Sequence, residues 1–300
     1  MRKALAALAA AMLLFVACDS EGGGGPAITV GSANFPESII LGEIYAQALE
    51  AEGYEVEKNL DLGTRDQYFS ALESGDVDLV PEYIGALTVH VTGDSNAAKT
   101  DSMETYNALV AALEARNLTA LEYAPAQDKD GVVVNKETAD AHNLTKFSDL
   151  RPVAGQLVMG APAECDDTDP ETGPRFCARL IAADINFREI RSVDAGLVDL
   201  LKSNQVQAAN IFSTDGSIAR EGFVSLEDDL GIVPAENIVP VLRDEIIDEH
   251  GIELVEFLNS VTEKITTEDL TDLNNRATRE VDPEDPEDVA ADWLEENDLL

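Results

Sequence analysis

The sequence predicts an α/β protein of two lobes with a cleft between them. Two series of alternating strand-sized and helix-sized patterns lead there, one opening at Ala27 and the other near Gly131. Strand, helix, strand at these intervals implies βαβ units. A third observation links the series: after Pro240 the chain turns helical to its end, and those late helices can return to the first lobe.

The elements follow in order. Met1-Arg2-Lys3 is a basic start, and residues 4–17 are apolar and mostly small. This is the pattern of a secretory signal, too short for a bilayer-crossing helix of about 20 residues. It ends Leu14-Phe15-Val16-Ala17-Cys18, which resembles a bacterial lipobox with Phe15 in place of the usual Leu. The alternative is an ordinary signal cleaved after Ala17. Residues 19–26 are polar and glycine-rich, as a flexible tether requires. The expected organisation is a signal peptide over 1–17, then a tether over 18–26 anchored by lipid on Cys18.

The first lobe is expected over 27–126 plus 243–300. Residues 27–30 read as a strand, and Pro36 opens a helix with Ile40, Ile44 and Ala48 at helical spacing. Gly53 ends it. Residues 54–57 form a second strand, 65–73 a helix, 76–80 a third strand and 103–116 a further amphipathic helix. The second lobe is expected over 127–242. Strands are predicted at 132–134, 156–160 and 207–212, and helices at 178–184 and 194–203. The closing helices are 244–250, 252–263, 267–277 and 286–296, with Thr267, Leu270 and Leu273 marking a capped start.

Charge narrows the function. There are 20 Lys and Arg against 59 Asp and Glu, a net charge of −39. Such a field repels phosphate backbones and excludes nucleic acid as a partner. After the leader, no apolar run is long enough to cross a bilayer. Export makes disulfides permissible. Cys165 and Cys177 bracket a loop rich in Asp, Pro and Gly, and their pairing is expected. A metal site is the alternative, but two cysteines without a nearby His make a poor zinc set. His90, His142 and His250 are scattered, so neither metal nor cofactor is expected. No Gly-x-Ser-x-Gly turn or phosphate-binding glycine loop is present.

Several ordered segments resemble the substrate-binding proteins of osmoprotectant ABC importers. They are Gly31-Ser32-Ala33-Asn34-Phe35-Pro36-Glu37, Gly75-Asp76-Val77-Asp78-Leu79-Val80-Pro81-Glu82-Tyr83, Pro162-Ala163-Glu164-Cys165 with Arg175-Phe176-Cys177, Phe212-Ser213-Thr214-Asp215-Gly216, Leu226-Glu227-Asp228-Asp229, and Thr267-Glu268-Asp269-Leu270. The resemblance runs from about Ile28 to the C-terminus. It implies a type II periplasmic-binding-protein fold, with two hinge crossings placed near 124–130 and 238–243. It also implies a receptor for glycine betaine, choline, carnitine or proline betaine, delivering its ligand to a permease driven by an ATPase. Such receptors hold a quaternary ammonium among aromatic rings.

Carried over residue by residue, the resemblance puts Tyr83 and Phe212 at ring positions and Arg175 at a carboxylate-binding position. Asn34 and Thr214 fall on cleft segments. Two further ring positions fall at Asp130 and Glu236, while a family lysine and threonine are replaced by Ala33 and Ala86. Acids in place of rings favour choline, or a cationic or zwitterionic amine carrying N–H donors, over glycine betaine. An enzyme is not expected. The competing reading is a secreted two-lobed enzyme, or a sensory module acting on a small cationic metabolite.

Overall fold

The computed structural model describes residues 25–300, apart from 167, 170–172 and 194. The leader and Cys18 lie outside the described residues. The strands are β1 (Ile28–Gly31), β2 (Val56–Asn59), β3 (Leu79–Tyr83), β4 (Leu118–Ala120), β5 (Val132–Val134), β6 (Val158–Ala161), β7 (Thr168–Asp169), β8 (Gly173–Pro174), β9 (Glu189–Ser192), β10 (Ala208–Asn210), β11 (Val224–Ser225) and β12 (Ile238–Arg243). The helices in the first half are α1 (Pro36–Glu52), α2 (Arg65–Ser74), α3 (Ile84–Thr92), α4 (Ser102–Leu113), α5 (Lys136–His142) and α6 (Phe147–Leu150). Those in the second half are α7 (Phe176–Ala182), α8 (Leu197–Lys202), α9 (Ser217–Arg220), α10 (Asp244–His250), α11 (Ile252–Thr262), α12 (Thr267–Thr278) and α13 (Pro286–Glu296).

Two five-stranded sheets organise the chain. The first has the order β2-β1-β3-β12-β4 and the second β11-β5-β10-β6-β9. The βαβ units supply the parallel pairs, β1 with β2 and β3, and β6 with β9 and β10. Both sheets are nevertheless mixed. β12 runs antiparallel to β3 and β4, and β5 antiparallel to β10 and β11. These are the strands the chain enters on arriving from the other sheet, so no crossover helix sets their direction. The residues 238–243, where a crossing was expected, are strand β12 of the first sheet.

Helix α1 forms the centre of the first core. Its N-terminus has Pro36 in the first turn, where a missing N–H costs nothing. Its C-terminus stops at Gly53, whose φ of 97° suits glycine. Ile40, Leu41, Ile44 and Leu49 pack with Leu254, Leu258, Leu273, Val289 and Trp293 from the closing helices. The late helices therefore do return to the first sheet. Tyr45 adds a polar tie: its hydroxyl donates to Thr262 Oγ1 at 2.9 Å, because the Thr262 hydroxyl proton is used on Leu258 O. The second sheet is covered by cores around Phe147, Leu150, Met159 and Leu180 on one face and Leu201, Val206 and Ile211 on the other. The Cys165–Cys177 disulfide is formed and packs with Phe176 in the first of these.

The two crossings lie side by side. Ala124 N–H donates to Ile238 O (2.8 Å), Ile238 N–H to Ala126 O (3.2 Å) and Asp128 N–H to Glu236 O (3.1 Å). Gln127 and Asn237 pair across them in antiparallel fashion. A short two-stranded ribbon thus links the sheet-centred units.

Candidate functional site

A cavity of about 700 Å³ lies between the two units, over this ribbon. It sits at the carboxyl ends of β1, β3 and β10, where open α/β sheets present ligand-binding loops. Its size suits a small molecule.

Glu37 is the most connected carboxyl in the wall. It occupies the first turn of α1, where backbone N–H groups favour negative charge. Tyr83, the last residue of β3, donates its hydroxyl to Glu37 Oε1 at 2.6 Å. Thr214 Oγ1–H donates to Oε2 at 2.6 Å, and Asn274 of α12 donates its amide to the same oxygen. Burial raises the Glu37 carboxyl above its ordinary range, and these three hydrogen bonds oppose that rise. Burial and the neighbouring Glu37 charge also hold the Tyr83 phenol well above its usual value.

The ribbon supplies three more acids. Asp128 Oδ1 accepts from Thr214 N–H (3.2 Å), and burial with the Glu37 charge pushes its carboxyl well up. Asp130 Oδ1 accepts from Asn210 Nδ2 (3.0 Å). Glu236 Oε2 accepts from Ala86 N–H (2.9 Å), and desolvation pushes its carboxyl up to about 8. Asp215 completes five carboxyls in the lining, against the guanidinium groups of Arg65 and Arg175. Arg65 is committed elsewhere: Nε and Nη2 donate to Glu82 at 2.9 and 3.1 Å. Burial disfavours the Arg65 charge, but Glu82 holds its pKa above the usual value. The buried Glu82 also accepts from the Tyr68 hydroxyl (2.7 Å) and Tyr83 N–H (3.0 Å).

Aromatic rings complete the lining. Phe35, Tyr83, Phe176 and Phe212 all face the cavity. The Phe35 and Tyr83 centroids are 6.2 Å apart with the planes tilted by 31°. Phe35 and Phe212 are 39% and 54% exposed, which leaves ring surface for a ligand. A cation meeting ring faces and carboxyls together is the species this wall suits.

Of the positions read from sequence, Tyr83, Asp130, Arg175, Phe212, Thr214 and Glu236 all reach the cavity lining. Asn34 is exposed outside that lining, with its backbone N–H donating to Gly63 O. Phe35, Glu37, Asp128, Asn210 and Asn274 line the cavity and were not selected. Phe35 and Glu37 carried a usable signal, since a helix separated from a strand end by only four residues places its first turn at the cleft.

The family model for the substrate-binding domain of the ABC-type glycine betaine transport system matches residues 26–296. The chain belongs to that family. It is a solute-binding family rather than a catalytic one, and it works outside the cytoplasm. No helix among the described residues is long and apolar enough to cross a membrane. The chain is 30% identical over 282 residues to a glycine-betaine-binding protein of Pseudomonas aeruginosa, covering 91% of this chain and 88% of that one. It is 29% identical to the carnitine transport binding protein OpuCC of Listeria monocytogenes, covering 100% and 99%. A crystal structure of a glycine betaine/carnitine/choline ABC transporter protein superposes with a TM-score of 0.79 at 22% identity, over 91% of this chain and 99% of that chain. The fold is that of the type II periplasmic binding proteins.

Proposed function

We propose that this substrate-binding protein captures a cationic or zwitterionic amine, or choline, in preference to glycine betaine. The observation that carries the reading is the cavity's lining of five carboxyls with exposed ring surface at Phe35 and Phe212. An ammonium group gains from ring quadrupoles and from carboxylates alike. A ligand carboxylate, by contrast, faces those five carboxyls against the guanidinium groups of Arg65 and Arg175, and Arg65 is already paired with Glu82. Site roles follow: Tyr83, Phe212 and Phe35 face the ammonium, Asp130 provides counter-charge, Glu236 adds to it once a bound cation displaces its proton, and Arg175 receives any carboxylate. Thr214 closes the wall through Glu37.

The two sheet-centred units act as lobes, the first built from 27–126 with the returning C-terminal segment. They close about the ribbon, and the loaded form delivers its ligand to an ABC permease. The leader directs export and is cleaved, and lipid on Cys18 anchors the protein to the outer face of a membrane. Thermal shift on the body from Gly25 onward tests the ligand class. A ligand at 100 times its Kd adds about 2.7 kcal/mol. Choline, carnitine, arginine, polyamines and glycine betaine make up the panel. A shift with glycine betaine alone overturns the preference.

A further inference from the structure

Thr214 is the meeting point of the two halves of the cleft. It follows β10 in the second unit, is 2% exposed, and contacts acids that belong to different parts of the chain. Its hydroxyl proton goes to Glu37 on α1 (2.6 Å), and its backbone N–H goes to Asp128 on the ribbon (3.2 Å). Its carbonyl accepts from Asn274 Nδ2 (3.2 Å), the amide that also reaches Glu37. Glu37, Thr214 and Asn274 therefore form one hydrogen-bonded bridge across the cleft. Glu37 accepts a hydrogen bond from each of Tyr83, Thr214 and Asn274, so the bridge is built for an ionised carboxylate.

The bridge brings a conflict with it. Closing the cleft places Glu37 and Asp128 on either side of one residue, both removed from solvent. Like charges that lose their water repel more strongly. Lys129 follows Asp128 and is the cation nearest to the pair in sequence. Tyr83 faces Glu37 from β3 as a neutral donor, and Asp130 adds a further negative charge on the ribbon. Asp215 lies beside Thr214. Arg65 on α2 serves Glu82, while the charge of Arg179 on α7 bears on Asp130 and Glu236. Arg175 stands exposed at the start of α7.

We propose that Glu37 is the residue that latches the cleft shut, and that its apposition to Asp128 across Thr214 makes closure depend on a positive charge beside the pair. The ligand's ammonium supplies that charge, or a proton does in its absence. The inference rests on the reading of the cleft as two closing lobes and deepens it. The sign follows from linkage. Opening the cleft takes Thr214 away from both carboxyls and returns water to Asp128, while Tyr83 and Asn274 stay with Glu37 on the first unit. In the closed cleft burial raises both, and because Glu37 already accepts from three donors the proton is held on Asp128. The closed form thus holds more protons, is favoured as pH falls, and is lost as pH rises through the raised values. Uptake of one proton changes the closed-to-open ratio by as much as about tenfold per pH unit. A cation at the same place competes with that proton, so binding releases it.

The test needs no ligand, and so stands apart from any failure of the amine panel. Spin labels are placed on the two lobes through Met103→Cys and Ile181→Cys, both at exposed positions, and their distance is measured between pH 8 and pH 5. The wild type is expected to shift toward the short distance as pH falls. Asp128→Asn keeps an acceptor for Thr214 N–H and removes one charge, so it stays closed throughout. Thr214→Val loses the bridging hydroxyl and stays open throughout. A wild-type distance that does not change with pH, or that shortens as pH rises, overturns the proposal. So does an Asp128→Asn variant that keeps the wild-type pH dependence.

Discussion

Gly216 separates closure from charge and offers the sharpest perturbation of the cleft. It follows the Thr214 loop at the start of α9, with ordinary helical torsions of φ −59° and ψ −18°, so alanine imposes no backbone strain there. A methyl group at that position would lie 2.4 Å from Asn275 Cβ and 2.6 Å from Asn275 Cα. Carbon atoms pack at about 3.5 Å or more, so the rim must part by roughly 1 Å. Asn275 belongs to α12 on the opposite side of the cleft. The same movement stretches the 2.6 Å bond from Thr214 to Glu37 beyond useful length. Loss of one hydrogen bond to a charged group costs about 1.5–3 kcal/mol, or roughly 10- to 100-fold in Kd. Calorimetric titration of Gly216→Ala with the best ligand from the panel measures it, alongside thermal unfolding without ligand. The expected result is weaker binding with an unchanged ligand-free Tm. Unaltered affinity would refute the account of closure through this contact.

Three further outcomes are expected. Phe212→Ala removes an exposed ring and so lowers affinity for an ammonium ligand by about 2- to 30-fold, the equivalent of one cation–π contact, while urea unfolding of the free protein stays unchanged. Glu236 holds its proton up to about pH 8 when folded and releases it near its ordinary value when unfolded. Stability therefore falls as pH rises between those values, by at most about 1.4 kcal/mol per unit, and Glu236→Gln flattens that stretch of the urea-stability profile. Reduction of Cys165–Cys177 lowers stability by about 2–4 kcal/mol, read from denaturant midpoints, and weakens ligand binding because Cys165 lines the cavity.

What the sequence made legible follows from how strongly each element is patterned. Helix α1, with Pro36 at its start and Gly53 past its end, carries both boundary signals and was read correctly. The closing helices show clear 3.6-residue spacing and pack where expected. Helix α3 was missed because Ile84–Thr92 is rich in β-branched residues and has Gly85 in its first turn, both poor helix signals. The second crossing was placed at 238–243 by the family resemblance, which gives no exact register; those residues are strand β12, whose Pro240 lies opposite Pro81 of β3. Within the site, Tyr83 stood out at a strand end and Glu37's place in a helix start was a usable signal left unused, while Asp128 was hidden in a loop of charges. Their roles depend on Thr214 and Asn274, which lie 177 and 237 residues from Glu37. No local pattern encodes such a meeting.

The central claim is that this wall of carboxyls and rings selects an ammonium ligand without favouring a carboxylate on it. Competition calorimetry with choline and glycine betaine on the same protein tests it most directly, since the two share the trimethylammonium group and differ in the carboxylate. The account predicts choline binding tighter, by about tenfold or more if the carboxylate costs at least 1.4 kcal/mol. Glycine betaine binding far tighter than choline would contradict it.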